Sequence, residues 1–220
     1  MFRKYDIRGV VGEEITEQLF YDICRAFSSY ARQNGHKKIL LGHDNRSSSP
    51  LFRDIAIKAA QATGCDVVSL GEVVTPLFYF AAHHLDIKAG IMITASHNPK
   101  EYNGLKLFLD DSTIYGEQIQ HLYRLVIEQD FITGESNRIE NIDIFPIYAQ
   151  MISEKITMGN NKQKVVIDCG NGTASLFAPE IFRLLGCEVV ELYCDSDPNF
   201  PNHHPDPVNP NNMQDLIKEV

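Results

Sequence analysis

The sequence has 220 residues, of which 44% are hydrophobic and 22% charged, and its 20 basic and 29 acidic side chains give a formal net charge of −9. This composition is typical of a globular protein with one large or two small domains and a buried core. The negative charge argues against binding to nucleic acid or to an anionic membrane, although a local cationic pocket can still bind a small phosphorylated substrate.

Helical and strand-like patterns alternate along the first 130 residues. In chain order they predict a helix over 13–33, a strand over 38–42, a helix over about 47–63, a strand over 66–70, a helix over 75–85, strands over 89–94 and 103–109, and a helix over 116–129. Repeated β-α-β order favours a mostly parallel sheet with helices on both faces. We therefore expect an α/β fold, with a three-layer α/β/α domain and a mostly parallel mixed sheet.

A polar segment over 130–141 predicts a linker, after which the pattern restarts. It predicts a helix over 145–156, a strand over 164–167, a glycine loop over 168–172, a helix over 173–185, a strand over 188–192, a long loop over 195–212 and a helix start over 213–220. Two strands do not form a well-covered sheet alone. We therefore predict one domain over 1–141 and an incomplete second domain of the same type over 142–220.

The cysteines and histidines carry no metal or redox motif. The five cysteines, an odd number, include no C-x-x-C pair, and we expect small buried thiols in a reducing compartment rather than a nucleophile. The histidine pairs at 83–84 and 203–204 lack the spacing of a zinc site. The N-terminus lacks an apolar signal core and no segment approaches the roughly 18 apolar residues of a membrane span, so a cytoplasmic location is expected.

Polar loops follow three of the predicted strands, at 43–47, 95–100 and 168–172. In open parallel sheets, ligands bind beyond the carboxyl ends of the strands. The first two loops open on the same edge of one sheet. Arg46, Ser96 and His97 can therefore converge there, although they are distant in sequence.

Ser96 is the focal residue because it follows a buried strand and precedes an Asn-Pro turn. A serine hydroxyl is a weak nucleophile unless a base or a cationic site activates it. On the next strand, Leu105, Leu107 and Leu109 share one face and Lys106 lies on the other. Burying a lysine there is costly without an anionic partner, and a phosphoserine at position 96 would be one.

Simpler interpretations of the same residues stay open. The segment around Ser96 can be an ordinary turn, Arg46 can merely pair with Asp44, and Lys106 can extend to water at a sheet edge. The glycine loop over 168–172 matches neither a dinucleotide-binding nor a Walker sequence. A Ser-His-Asp hydrolase is disfavoured because no G-x-S-x-G elbow surrounds Ser96.

Five short motifs nonetheless occur together and in order. They lie at 4–9 (KYDIRG), 42–46 with 48–50 (GHDNR, SSP), 94–99 with 102–106 (TASHNP, YNGLK), 166–172 (VIDCGNG) and 200–207 (FPNHHPDP). This set, spread over nearly the whole chain, resembles the α-D-phosphohexomutase family. The form of the first motif resembles the bacterial phosphomannomutase/phosphoglucomutase branch.

The resemblance implies a mechanism. Ser96 would be carried as a phosphoserine and would give its phosphoryl group to a hexose monophosphate, and the hexose 1,6-bisphosphate intermediate would return the other phosphoryl group. Arg8 and Lys106 would supply positive charge near the transferred group, and Tyr5 would line the sugar pocket. Either His97 or Lys106 would move the hydroxyl proton.

The resemblance also implies supporting groups and a metal. Asp44, Arg46 and Asn98 would support the phosphoserine loop. A Mg²⁺ ion would bind an oxygen on Ser96, and hexose 1,6-bisphosphate would act as activator and intermediate. The substrate would be a small phosphosugar, with mannose and glucose phosphates both open.

One family motif, the metal loop Asp-Gly-Asp-x-Asp-Arg, does not occur in these residues. The resemblance therefore predicts an N-terminal part of a longer mutase, inactive alone, whose partner is the missing C-terminal domains of the same enzyme. Two alternatives stay open: a non-catalytic module that binds a phosphosugar or a partner, and one half of a split mutase.

Overall fold

The computed structural model describes residues 1–2, 4–110, 112–159 and 162–220, and these form two compact units. The first unit comprises Met1–Ser96 and Glu101–Ile142. The second comprises His97–Lys100 and Asp143–Val220. Within the described ranges no helix is long and apolar enough to cross a bilayer.

The first unit contains the alternating elements that the sequence predicts, with additional short strands. Its elements are β1 (Ile7–Val10), α1 (Glu17–Gln33), β2 (Lys38–His43), α2 (Ser49–Ala62), β3 (Asp66–Glu72), α3 (Thr75–His84), β4 (Ala89–Ile93), β5 (Tyr102–Leu109), β6 (Ser112–Thr113), α4 (Glu117–Glu128) and β7 (Ile139–Asn141). Pro50 and Pro76 lie in the first turns of α2 and α3, where a missing N–H costs no helical hydrogen bond.

The strands of the first unit form one mixed sheet in the order β1-β5-β4-β2-β3-β7, with β6 paired to β5. The pairs from β4 through β2 and β3 to β7 are parallel, whereas β5 runs antiparallel to β1, β4 and β6. This arrangement confirms the predicted α/β class with a mixed sheet. The carboxyl ends of β2 and β4 are neighbours, so the loops that follow them share one edge.

The core lies on both faces of this sheet. Helices α1, α2 and α4 cover one face, where Phe20 and Phe52 stack at 4.1 Å between ring centroids and Leu105, Leu107 and Leu109 of β5 are buried. Helix α3 covers the other face, where its Tyr79 packs edge-on against Phe108. The alternation along β5 is therefore as predicted.

Local structure in the first unit departs from the predicted elements at the start of one helix and at three short strands, β1, β6 and β7. Helix α1 begins at Glu17 rather than at residue 13, because Thr16 caps it by accepting the Leu19 N–H at 3.2 Å. Ile15, which fits the helical spacing, instead donates its N–H to the Val10 carbonyl. Strand β1 was not predicted, and β7 lies inside the segment predicted as a linker.

The second unit contains a smaller set of elements. They are α5 (Phe145–Lys155), β8 (Lys164–Asp168), a 3-10 helix (Thr173–Leu176), α6 (Ala178–Leu184), β9 (Glu188–Leu192), a second 3-10 helix (Pro210–Met213) and α7 (Gln214–Glu219). Strands β8 and β9 pair in parallel, with Asp168 opposite Leu192. The single helix predicted over 173–185 is broken at Phe177, and Pro179 occupies the first turn of α6.

Candidate active site

Ser96 lies just beyond the carboxyl end of β4 in an exposed turn with a left-handed backbone. Its φ is +58°, in a region that residues other than glycine rarely adopt. The turn is held by Thr94, whose hydroxyl accepts the Ser96 N–H at 2.9 Å. Holding a non-glycine residue in this conformation costs on the order of 1 kcal/mol, so the contacts around the turn have to maintain it.

Two arginines hold the backbone on either side of this turn. The Arg8 Nη1 donates to the Ala95 carbonyl at 3.0 Å, and the Arg46 Nη2 donates to the Ser96 carbonyl at 2.9 Å. Arg46 also donates from Nη1 to the Tyr102 carbonyl at 3.1 Å. One guanidinium therefore joins the segment after β4 to the start of β5. Ser96 is held in place through hydrogen bonds made to its backbone.

Arg46 is itself held in a buried polar network. Its side chain is 1% exposed, and its Nε donates to the Asp44 carboxylate at 3.2 Å. Asp44 also accepts the Ser49 hydroxyl at 2.6 Å, and the Asn103 amide donates to Ser49 at 3.0 Å. The planar, five-donor guanidinium suits this role because it bonds in three directions at once. Ser49 and Asn103 lie in two of the quoted motifs, but the sequence assigns neither of them a role in the site.

Gly104 brings β1 close enough to β5 for Arg8 to reach the site. In the register of these strands, Gly104 lies opposite Arg8. A Cβ at this position would overlap the Ile7 carbonyl oxygen and approach the Arg8 Cα to 3.0 Å. The glycine is therefore required by close backbone approach. Asp6, which belongs to the same motif over 4–9, pairs with Arg8 at 2.6 Å, a contact that the sequence does not predict.

The remaining predicted site residues are less closely joined. Lys106 is half-buried on β5 and lies opposite Met92 in the strand register. Tyr5 is 57% exposed, with its ring 6.4 Å from that of Tyr115. His97 is exposed and Asn98 half-buried, and both belong to the second compact unit. Arg8, Asp44, Arg46 and Ser96 are thus brought together within the first unit. That these four residues form a functional site stays a prediction.

The electrostatics of the network follow from burial. Burial lowers the pKa of Arg46, and the adjacent Asp44 carboxylate acts in the opposite direction. Burial also lowers the pKa of His43, the last residue of β2, whose Nδ1 lies 2.8 Å from the Asp44 carbonyl oxygen. The site therefore combines the exposed Ser96 with the buried Arg46, whose guanidinium pairs with Asp44 and holds the Ser96 backbone.

The residues present do not by themselves provide a metal site. Across the described ranges, no group of three or more His, Cys, Asp or Glu side chains is placed to hold an ion. Asp6 and Asp44 are each paired with an arginine. An oxygen on Ser96 is the one ligand that the resemblance assigns, and it does not make a site alone.

In the second unit, Asp168 at the end of β8 pairs with His203 of the loop that follows β9; both lie in quoted motifs, but the sequence does not predict their pairing. The Asp168 side chain is 4% exposed, and both of its carboxylate oxygens lie 3.0 Å from the His203 Nε2. The other ring nitrogen of His203 faces the His204 carbonyl oxygen at 2.9 Å. Gly170 has a φ of +50°, and a Cβ there would lie 3.1 Å from the His203 ring. The glycine loop over 168–172 is a packed element of the unit rather than an open phosphate cradle.

Comparison with known proteins places both units in one family. The family model for phosphoglucomutase/phosphomannomutase, alpha/beta/alpha domain I, matches residues 1–133, and the model for alpha/beta/alpha domain II matches residues 146–220.

Individual relatives carry the same names. A phosphomannomutase/phosphoglucomutase of Pseudomonas aeruginosa is 44% identical over all 220 residues, which cover 47% of that protein. A phosphoglucomutase of Neisseria meningitidis is 41% identical over 218 residues, or 99% of this chain and 47% of that protein. A crystal structure of a phosphoglucomutase/phosphomannomutase family protein from Burkholderia thailandensis matches with a TM-score of 0.93 and 39% identity, over 99% of this chain and 49% of that one. The chain spans about half the length of the curated relatives it matches.

Proposed function

Because the chain belongs to the phosphoglucomutase/phosphomannomutase family, we propose that it is the phosphoryl-carrying N-terminal part of an enzyme that interconverts hexose 1-phosphates and hexose 6-phosphates. The observation that carries this proposal is the exposed Ser96, held in a left-handed turn by hydrogen bonds from Arg8 and Arg46 to the adjoining carbonyls. A serine that alternately gives and receives a phosphoryl group needs an accessible oxygen in a fixed position.

The proposed reaction begins with a phosphoryl group on the Ser96 oxygen. The free hydroxyl of a hexose monophosphate attacks the phosphorus, the bond to the Ser96 oxygen breaks, and a hexose 1,6-bisphosphate forms. The sugar then presents its other phosphate, and the Ser96 hydroxyl attacks that phosphorus to release the isomeric monophosphate. Catalysis of such a transfer rests on positioning and on neutralising charge.

The residues around Ser96 divide these tasks. Arg8 and Lys106 supply positive charge near the transferred group, while Arg46, which has no exposed surface to offer a substrate, positions the serine backbone. Either His97 or Lys106 accepts the proton of the attacking hydroxyl. Tyr5 is exposed and can pack against the sugar ring.

We further propose that the enzyme uses Mg²⁺ and that most of its ligands come from outside these residues. When bound, the ion would neutralise charge on the phosphoryl oxygens. The described residues hold no acidic cluster for it, and no step above is assigned to it. The relatives are about twice as long as this chain. We propose that a region equivalent to their unmatched part is the protein partner of this chain and completes the substrate cleft.

The test is a mutase assay on the protein purified from its source, with glucose 1-phosphate and mannose 1-phosphate, Mg²⁺ and a trace of glucose 1,6-bisphosphate. Ser96→Ala is expected to lower kcat by about 10³-fold or more, because it removes the attacked and attacking oxygen. Ser47→Ala, which removes another exposed hydroxyl at the same sheet edge, is the matched control and should retain activity.

Mass mapping of the same protein locates the phosphoryl group. The phosphorylated peptide should contain Ser96 and should lose its phosphate when excess hexose monophosphate is added. Near-normal turnover by the Ser96→Ala variant, or a phosphoryl group on another residue, contradicts the proposal.

A further inference from the structure

Two cysteines lie side by side at the carboxyl ends of the two strands of the second unit. Cys169 directly follows β8, and Cys194 lies two residues beyond β9. Their Sγ atoms are 3.3 Å apart, and both residues are half-buried. A disulfide bond is about 2.05 Å long, so the sulfurs need to move together by only a little more than about 1 Å.

Hydrogen bonds hold the backbone and the thiol beside this contact. Cys169 continues the parallel pairing beyond Asp168 by donating its N–H to the Leu192 carbonyl at 3.1 Å. The strand register, continued by one position, brings it opposite Tyr193, the residue before Cys194. The Cys194 thiol is also placed by its neighbours, since it donates toward the Leu192 carbonyl at 3.3 Å.

We propose that Cys169 and Cys194 are a redox-sensitive modification site that closes to a reversible intrachain disulfide under mild oxidation. With a peroxide as oxidant, one thiol is oxidised to a sulfenic acid and the peroxide is reduced, giving one water from hydrogen peroxide. The second thiol then attacks the sulfenic sulfur, its proton leaves with the hydroxyl group as a second water, and the S–S bond forms. Two thiols lose two electrons in total.

The surroundings of the pair affect how readily it reacts. Burial and the adjoining Cys194 raise the pKa of the Cys169 thiol to about 12, which makes Cys169 a slow nucleophile in either step. The closeness of the two sulfur atoms acts in the opposite direction, because it holds the second thiol beside the oxidised one. The other three cysteines are buried, with at most 7% of each residue exposed, so they are less accessible to peroxide.

The disulfide would fasten together two segments that now meet through hydrogen bonds. The Asn171 N–H donates to the Tyr193 carbonyl at 2.8 Å, the Asn171 amide donates to the Asp195 carbonyl at 2.8 Å, and the Asp197 N–H donates to the Asn171 carbonyl at 2.9 Å. Oxidation should therefore stabilise the native loop rather than distort it. A cross-link that closes such a loop is expected to raise the unfolding temperature of the unit by at least about 5 °C.

The experiment treats the full chain with hydrogen peroxide, blocks remaining thiols with an alkylating agent, and counts them after denaturation. The count is expected to fall from five to three and to recover with dithiothreitol, and mass spectrometry should find one peptide pair linked through Cys169 and Cys194. Cys187→Ala is the matched control and should still form the link. Cys169→Ser and Cys194→Ser should form none.

Three outcomes overturn the proposal. One is loss of thiols through sulfinic acid at Cys169 or Cys194 with no linked peptide. Another is a link that joins two chains rather than one. The third is an unchanged thiol count at a peroxide concentration that oxidises a free cysteine in the same solution. Because the wild-type chain alone decides among these outcomes, the test does not depend on whether a variant folds.

Discussion

The backbone conformation of Ser96 allows the proposed role of its hydroxyl to be tested separately from the effect of this residue on stability. Its positive φ is tolerated at little cost only by glycine. We therefore expect Ser96→Gly to be more stable than Ser96→Ala by about 1 kcal/mol, while both lose the phosphoryl group. Urea unfolding of the two variants measures the difference. Equal stabilities would mean that the turn relaxes when the hydroxyl is absent.

Arg46 is the second residue whose contribution can be isolated. Replacing it with alanine leaves the Asp44 carboxylate buried without its charge partner and frees the Ser96 and Tyr102 carbonyls. We expect Arg46→Ala to lower the free energy of unfolding by about 3–5 kcal/mol.

The control for this variant is an arginine with a different environment. Arg53 pairs with Asp54 on the surface, where the two side chains are 36% and 52% exposed. Arg53→Ala should cost less than about 1 kcal/mol. Equal losses in the two variants, measured by urea unfolding, would show that the Arg46 network adds nothing beyond an ordinary surface pair.

His43 gives the first unit a defined pH dependence. Its pKa is lowered in the folded state from an ordinary value of 6.5, chiefly by burial. The unfolded chain then binds the proton more readily than the folded chain, so stability is complete above about pH 6.5 and falls as the pH drops below it. His43→Asn keeps a donor for the Asp44 carbonyl. It should reduce the slope of the unfolding free energy against pH, measured over about one pH unit on either side of the ordinary histidine pKa. An unchanged slope would assign the dependence to other groups.

For single residues, a contact of the site could be predicted from the sequence only where the strand that positions the residue has a recognisable pattern. The convergence of Arg46 and Ser96 was predictable, because both follow parallel strands that end at one edge. The reach of Arg8 to the Ala95 carbonyl was not, because it depends on β1, which was not predicted from the sequence. The contacts of Asn103 were hidden for a similar reason, since a buried amide inside a strand has no periodic signature.

At the scale of the elements, the strongly apolar or periodic segments matched their predicted positions and the short ones did not. Strand β9 has the predicted bounds, and β2 and β4 differ by one residue at an end. Strand β1 has the sequence IRGV and pairs antiparallel at the sheet edge, and β7 is three exposed residues, so neither produces a hydrophobic pattern. Their pairing is decided by the tertiary structure rather than by local propensity.

The β1–β5 pair provides a test at this scale. We expect Gly104→Ala to destabilise the chain by about 1–3 kcal/mol and to lower activity, because a Cβ forces apart the strands that carry Arg8 and Lys106. Gly159→Ala is the control, since a Cβ there meets nothing within 4 Å. Thermal unfolding of both variants distinguishes a close-packed Gly104 from one that the strands can accommodate.

At the scale of the whole molecule, the two units match domains I and II of the family, and the chain covers 47% of the Pseudomonas aeruginosa relative. The described residues contain Ser96 and its supporting arginines but no acidic cluster. We therefore expect the 220-residue chain alone to show negligible mutase activity in a coupled assay with glucose 1-phosphate and Mg²⁺. Turnover at an ordinary enzymatic rate, above about 1 per second, would contradict the proposal that the rest of the active site lies outside these 220 residues.

The guanidinium of Arg46 has a mechanical consequence for the loop between β4 and β5. It bonds the carbonyls of Ser96 and Tyr102, which are the two ends of that loop, and so acts as a noncovalent staple across its base. The separation of these two ends is therefore held by one buried side chain that is distant in sequence from both. Glu101, which precedes the second anchor point, is tied separately, since its carbonyl accepts the Val11 N–H at 2.9 Å.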